Sequence, residues 1–269
     1  MQELSGLGKT ERKRLTELIR RTKGTISVSE AAETLQVSPS DAAKMLARWA
    51  TKGWLSRVRR GLYVSVPMES LISDVPLEDP WSIAERLFSP GYVGGWSAAE
   101  YWGLTEQIFR SVVFMTTRKP RDRTPVIKNT KFIIHTVQEK ALFGLKPIWR
   151  GQVKVPVSDP ARTVIDMLSD PGLGGGIRPS ADVLLNYLKS EFRNLDQLID
   201  YAKRLGNGAV FKRLGFLMER LVPEEQAILA ACRPELTKGN AKLDPALPTE
   251  KLVSKWRLWV PEKWEKGSD

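Results

Sequence analysis

An α+β fold is what this sequence predicts, with a small helix-rich unit in front of a larger mixed α/β one. Three observations predict it. The front of the chain strings short helical periods together and closes on two β-prone runs. A Pro- and acid-rich stretch, VPMESLISDVPLEDP at 66–80, then interrupts the pattern. Beyond it, β-branched runs are interleaved with helical ones. The expected boundaries are a first domain at 1–68, a linker at 69–79 and a second, α+β domain at 80–269. The 269 residues suffice for two domains of ordinary size, and 42% hydrophobic with 27% charged residues are globular values.

Each element has a local reason. At 10–23, Leu15, Leu18, Ile19 and Thr22 follow the i, i+3, i+4, i+7 spacing of one buried helical face, and Gly24 ends the helix because it tolerates positive φ. Ser29 is expected to cap a short helix through Leu35 that turns Ala31, Ala32 and Leu35 inward. Gln36, Val37 and Ser38 make a tight turn. Ser38 opens a third helix: with Asp41 it forms an S-x-x-D capping pattern, and Pro39 takes the first helical position, where its missing N–H costs nothing. That helix runs to Lys52, stops at Gly53 and points Ala42, Leu46 and Trp49 inward. Two β-prone runs, 54–58 and 62–66, are joined by Arg59, Arg60 and Gly61 as a hairpin. Helix, helix, tight turn, helix and basic hairpin is the order of a winged helix-turn-helix, placed here at about residues 9–66.

The larger part predicts helices at 80–88 and 96–103, strands at 111–117 (SVVFMTT), 131–137 (KFIIHTV) and 152–157 (QVKVPV), and a helix at 160–168 with Pro in its first turn. A Gly-rich loop is expected at 170–179. Residues 180–231 read as helical, broken near Gly206–Gly208 and at Pro223, and 255–260 (KWRLWV) as a last strand. Trp96, Trp102, Trp256, Trp259 and Trp264 are expected in the core or at an interface, because an indole buries a large area.

Charge points to a polyanion. The net charge is +11, and residues 1–66 hold thirteen Lys and Arg against six Asp and Glu, so a surplus of seven sits in the first quarter of the chain. On the third helix Ser40, Lys44, Arg48 and Thr51 form one stripe opposite the apolar face, as a helix in the major groove requires. Arg57, Arg59 and Arg60 suit a wing, where cations pair with phosphates or enter a narrow minor groove. Double-stranded DNA is therefore the expected partner, with Ser40 and Lys44 nearest the bases and Arg48 on a base or a phosphate. Arg12, Lys13 and Arg14 either touch the backbone from the side or form a solvated face.

Catalytic and metal chemistry finds little material. His135 is the one histidine and sits in an apolar run; Cys232 is the one cysteine and reads as a small buried apolar residue. No metal site, cofactor site or intrachain disulfide is expected from one His and one Cys. The glycines at 172–176 lack the following Lys-Ser or Lys-Thr of a P-loop. The nuclease-like acid-x-Lys pattern occurs at Glu11 and Lys13, where it reads as an ordinary helix surface pair. The chain is expected not to be an enzyme; a nuclease or nucleotidyltransferase is the least favoured alternative. With no membrane-length apolar run and no cleavage signature, a soluble, cytoplasmic protein is expected.

Several stretches together resemble the AbiEi family, the antitoxin and transcriptional-regulator half of type IV toxin–antitoxin (abortive infection) pairs. They are RRGLYVSVP at 59–67, SPGYVGGWSAAEYWGLTEQ at 89–107, VVFMTTRKPR at 112–121, SDPARTVIDMLSDPGLGGG at 158–176 and RLGFLMER at 213–220. The resemblance implies a winged domain that binds inverted repeats in the protein's own promoter and represses its operon. It also implies a second domain that counteracts a nucleotidyltransferase-type toxin without needing to bind it stably. An alternative is a winged-helix regulator whose second domain senses a ligand or a protein and which has no toxin. In SDPARTVIDML, the polar Asp159, Arg162 and Asp166 either fix the fold by ion pairing, the favoured reading, or meet a partner.

Overall fold

The computed structural model describes residues 6, 8–22, 24–66 and 79–261. The Pro- and acid-rich stretch at 67–78 lies outside the described residues, as do Lys23 and Trp264.

The front unit contains α1 (Lys9–Arg21), β1 (Ile26–Ser27), α2 (Val28–Leu35), α3 (Pro39–Thr51), β2 (Leu55–Arg59) and β3 (Leu62–Ser65). Its sheet has the order β1-β3-β2 with both pairs antiparallel. The expected inner face of α1 holds for Leu15, Leu18 and Thr22, whereas Ile19 is exposed. The cap of α2 is Ser27 rather than Ser29: Ser27 Oγ accepts from the Glu30 N–H, and Glu30 Oε2 accepts from the Ser27 N–H at 2.9 Å, a full capping box. The missed strand β1 explains the shift. Ile26, paired with Tyr63 and buried, needs an extended backbone, and Ser27 is the last residue that provides it. For α3 the expectation holds in detail: Ser38 caps Asp41, Pro39 opens the helix, and Ala42, Leu46 and Trp49 are buried. These residues pack with Leu15, Leu18, Ala31, Leu55 and Tyr63 into one core.

The larger unit is mixed α/β. It runs α4 (Pro80–Phe88), β4 (Gly91–Val93), α5 (Gly95–Tyr101), β5 (Ser111–Thr116), β6 (Val126–Ile127), β7 (Thr130–Thr136), β8 (Leu145–Arg150), β9 (Val153–Ser158) and α6 (Pro160–Ser169). Then follow α7 (Ile177–Lys189), α8 (Leu195–Leu205), α9 (Gly208–Leu221), α10 (Gln226–Cys232), β10 (Ala241–Lys242), β11 (Lys251–Val253) and β12 (Leu258–Val260). Six strands form the central sheet in the order β6-β7-β5-β4-β9-β8. Parallel pairs β5–β7 and β4–β9 alternate with antiparallel ones. On one face Val112, Phe114, Phe132, Ile134, Val155 and Val157 meet Trp81, Ile83, Ala84 and Leu87 of α4. The same cluster holds Leu62, with Val58 and Val64 packed against it, so the β2–β3 hairpin rests on the larger unit. On the other face Tyr92, Val113 and Met115 pack with Trp96 and Leu173. Helix α6, buried over Pro160–Leu168, joins this sheet to the helical layer of α7 to α10.

Three expectations need correction. The helical region 180–231 has a further break at 190–194, where Ser190 ends α7 and Asn194 caps α8. The Gly-rich loop is largely ordered: 171–174 form a 3-10 turn, and α7 already begins at Ile177, its N–H bonded to Asp244 Oδ2 at 2.9 Å. The last strand is shorter than 255–260, because Arg257 adopts a left-handed conformation (φ 51°) after a 3-10 turn at 254–256. Trp96 and Trp256 are buried and Trp102 is half-buried; Trp259, on alternate register, is 38% exposed.

Trp256 sets one stringent requirement. It is fully buried against α9, its Nε1 donates to Glu219 Oε2 at 2.6 Å, and a Cβ at Gly215 would run into its ring. Gly215→Ala is therefore expected to destabilise. Alanine recovers about 1 kcal/mol of helix propensity, but overpacking costs ~1–3 kcal/mol. A urea midpoint at or above that of the wild type shows instead that the ring withdraws without loss.

Candidate nucleic-acid interface

The capping of α3 by Ser38 fixes which side chains its outer face carries. Ser40, Lys44, Arg48 and Thr51 recur at four, four and three residues, so they share one face, and all four are exposed. Arg57, Arg59 and Arg60 are exposed on the adjacent hairpin, where the register shifts between Arg57 and Arg59 and Gly61 turns the chain at φ 78°. Val58, between the arginines, faces the larger unit. The seven residues thus lie on two elements that are joined through Lys52, Gly53 and Trp54.

Their local chemistry differs. Ser40 makes no hydrogen bond to a described side chain, and Lys44 Nζ lies 3.9 Å from Asp41 Oδ1, a loose exposed pair. Arg48 is held: its Nη2 pairs with Glu11 of α1, which also accepts from Lys52 Nζ at 3.3 Å. The Lys52 hydrogen bond, with Arg48 beside it, keeps the Glu11 carboxyl below its ordinary range. The acid-x-Lys pattern is thereby accounted for, since Glu11 clamps α1 to α3. Thr51 donates its hydroxyl to Ala47 O at 3.1 Å within its own helix, so toward a ligand it is left as an acceptor. Arg57, Arg59 and Arg60 pair with no acid among the described residues. Arg12, Lys13 and Arg14 are likewise exposed on α1.

The helix in front of α3 is anchored from behind. Glu30 of α2 closes the capping box and also pairs with Arg86 of α4. Burial opposes its charge, but the hydrogen bonds from Arg86 and Ser27 outweigh that and hold the Glu30 carboxyl below its ordinary value of 4.5. A carboxyl depressed on folding stabilises above its unfolded pKa, and this contribution is lost as the pH falls through the folded value. Glu30→Gln should therefore cost ~0.5–1 kcal/mol near neutrality and nothing once the pH is well below 4.5. Chemical denaturation at both pH values checks this; an equal cost at both assigns the loss to the cap alone.

Residues with catalytic potential are used elsewhere. His135 is partly exposed on β7, with Nδ1 3.7 Å from Asp170 Oδ2. Cys232 is buried in the helical core, where burial pushes its thiol up to about 12. Asp159 caps α6 by accepting from the Arg162 N–H at 2.9 Å. Arg162 is fully buried: its Nε donates to Asp166 Oδ1 (2.9 Å), Nη1 to Phe143 O (3.1 Å) and Nη2 to Tyr92 Oη (2.9 Å). Tyr92 in turn donates to Asp166 Oδ2 at 3.0 Å, and burial followed by the nearby Asp166 carboxylate raises its phenol well above the ordinary value. Tyr92, Asp159, Arg162 and Asp166 are all buried, and their bonds tie sheet to helix. Among the described residues no helix is long and apolar enough to cross a membrane.

Residues 13–66, which contain all seven candidate contacts, match the family model described as "Transcriptional regulator, AbiEi antitoxin". The family resemblance is borne out over that segment. No curated protein matches the chain. Among solved structures the chain is similar to the RV2827C protein from Mycobacterium tuberculosis, at 17% identity and a TM-score of 0.60. That match covers 96% of this chain and 94% of the other, a likeness of fold that extends over both units.

Proposed function

We propose, from the match of residues 13–66 to AbiEi antitoxin regulators, that this chain is a DNA-binding transcriptional repressor and the antitoxin of a type IV toxin–antitoxin pair. The front unit acts as a winged helix-turn-helix domain. Helix α3 enters the major groove with Ser40 and Lys44 nearest the base edges, and Arg48 and Thr51 lie further along the groove. Arg57, Arg59 and Arg60 form the wing and reach phosphates or the minor groove. The operator is an inverted repeat in the chain's own promoter. The larger unit, from residue 80 onward, counteracts a nucleotidyltransferase-type toxin, functionally rather than through a necessarily stable contact. The protein carries out no catalysis and works in the cytoplasm.

The observation that carries this reading is the coincidence of the exposed polar stripe of α3 and of the hairpin arginines, which pair with no acid among the described residues, with the matched segment. A basic helix alone is usually a solvated face. Here cations sit on the two elements that this motif turns toward DNA.

Anisotropy titration of the full chain against labelled DNA from the gene's own upstream region tests the reading, with a scrambled duplex as control. At about physiological salt, non-specific binding is weak, with Kd ~10⁻⁴–10⁻⁶ M. Preference for the upstream duplex by roughly a thousandfold is the expected result. Equal, weak and salt-sensitive binding to both duplexes reduces the front unit to a polyanion patch and ends the repressor reading.

A further inference from the structure

Between the start of α4, the end of α5 and the ends of β5 and β8 lies a cleft of about 380 Å³. Small-molecule sites occupy ~300–1,000 Å³, so the space suits a compact ligand. Trp81, Tyr101 and Phe109 supply aromatic walls, and Arg150 and Glu100 supply charge. The guanidinium carbon of Arg150 lies 4.4 Å from the centroid of the Trp81 ring and 5.6 Å from that of Tyr101. The two rings are themselves 5.5 Å apart and tilted by 55°. Arg150 is thus held by aromatic faces. Its Nε is shielded from solvent; among the described residues that nitrogen has no acceptor and no carboxylate pairs with the head group, although Glu100 lines the same cleft.

A guanidinium fixed in this way, lining the cleft and paired to no carboxylate among the described residues, is prepared for one oxyanion, which its two Nη groups grip through parallel N–H donors. The neighbouring rings favour a flat apolar body on that anion. Glu100 at the exposed end works against a polyanion, which sets this cleft apart from the basic front unit. We propose that the cleft is an effector site for a small molecule with a flat aromatic ring and one carboxylate or phosphate group. Its position connects it to the front unit. Trp81 belongs to the buried cluster that holds Leu62, with Val58 and Val64 of the hairpin packed against it. Occupancy that moves Trp81 is therefore felt at the hairpin that carries Arg57, Arg59 and Arg60. This regulatory half of the inference rests on the DNA-binding reading; the binding half does not.

The test titrates the full chain with salicylate, an aromatic carboxylate, and separately with AMP, an aromatic phosphate, following tryptophan emission. Adenosine and salicylamide serve as uncharged controls. Saturable binding of at least one anion is expected, with a roughly tenfold or greater loss in Arg150→Ala and weaker binding of the matching control. Tyr101→Ala, at a 39% exposed position, gives a second variant should Arg150→Ala not fold. Response to salicylate alone assigns the anion as a carboxylate, and response to AMP alone as a phosphate. Failure of both to saturate, or equal binding by the folded variants, overturns the site. Operator affinity is then measured with and without the bound probe. A change of about fivefold or more is expected, and an unchanged affinity removes the effector role. A wild type that does not prefer its upstream DNA fails the repressor reading and the effector role together, while the emission titration still decides the site.

Discussion

Arg162→Ala should cost the larger unit ~3–5 kcal/mol of stability, the range for removing one partner of a buried ion pair. Nothing about Arg162 is available to solvent, so water cannot replace what the truncation removes. Three groups lose their donor at once: Asp166 Oδ1, the Phe143 carbonyl and Tyr92 Oη. Asp166 keeps one hydrogen bond from Tyr92 but becomes a buried charge without a counterion. It must then take up a proton or drag water into the layer between sheet and helix. Arg162→Lys should recover only part of the loss, because one ammonium cannot reach three acceptors arranged around a planar fork. Arg162→Met combined with Asp166→Leu should be milder than Arg162→Ala alone, since it removes both charges together. Urea unfolding midpoints separate the three variants. A loss below about 1 kcal/mol for Arg162→Ala would show that the network is solvated in solution and carries little of the fold.

The sequence made some of this legible. Periodicity and caps located α3 to within a residue because Ser38, Pro39, Asp41 and Gly53 each act through backbone geometry that does not depend on the rest of the fold. The strand of SVVFMTT was visible for a similar reason: buried on both faces, it reads as a continuous apolar run, while KFIIHTV buries Phe132 and Ile134 on one face and shows through its β-branched and aromatic residues. What was not legible depends on long-range pairing. Two-residue strands such as Ile26–Ser27 and Val126–Ile127 have no periodicity of their own and exist because Tyr63 and Lys131 pair with them. Strand β8, LKPIWR, contains a proline and two cations, a composition tolerated at the edge of a sheet and otherwise unlike a strand. The start of the last strand at Leu258 is set by a left-handed conformation at the non-glycine Arg257 just before it, which local propensity disfavours.

The exposure of the seven candidate side chains was legible in the sequence; their partners within the fold were not. All seven side chains fall where the helical and hairpin patterns place them, because exposure follows from the same periods that bury Ala42, Leu46 and Trp49. The bond from Arg48 to Glu11 spans thirty-seven positions and has no local signal. The same holds for the cleft around Arg150, whose rings come from α4, α5 and the connection before β5 and whose guanidinium comes from β8. A pattern search finds side chains on one element; it does not find a site assembled from several.

That difference separates the expected effects of DNA-contact variants. Lys44→Ala should weaken operator binding by ~1–3 kcal/mol and relax sequence preference, the mark of a lost base contact. Lys44 can make such a contact because Asp41, at 3.9 Å and exposed, holds it weakly. Arg48→Ala should also weaken binding, but with less loss of preference. Its guanidinium is shared with Glu11, and removing it leaves Lys52 as the remaining cation beside that carboxylate. The combined Arg57→Ala, Arg59→Ala, Arg60→Ala variant should behave differently again. Each phosphate contact contributes about 0.9 to the slope of log K against log salt, so losing three should flatten that slope by ~2.7 while the ratio of operator to scrambled binding stays nearly constant. Measuring both duplexes across a salt series distinguishes the two behaviours in one experiment. If the triple variant loses preference and Lys44→Ala loses only slope, the hairpin rather than α3 reads the sequence. If neither changes, the DNA-contacting surface lies outside these two elements.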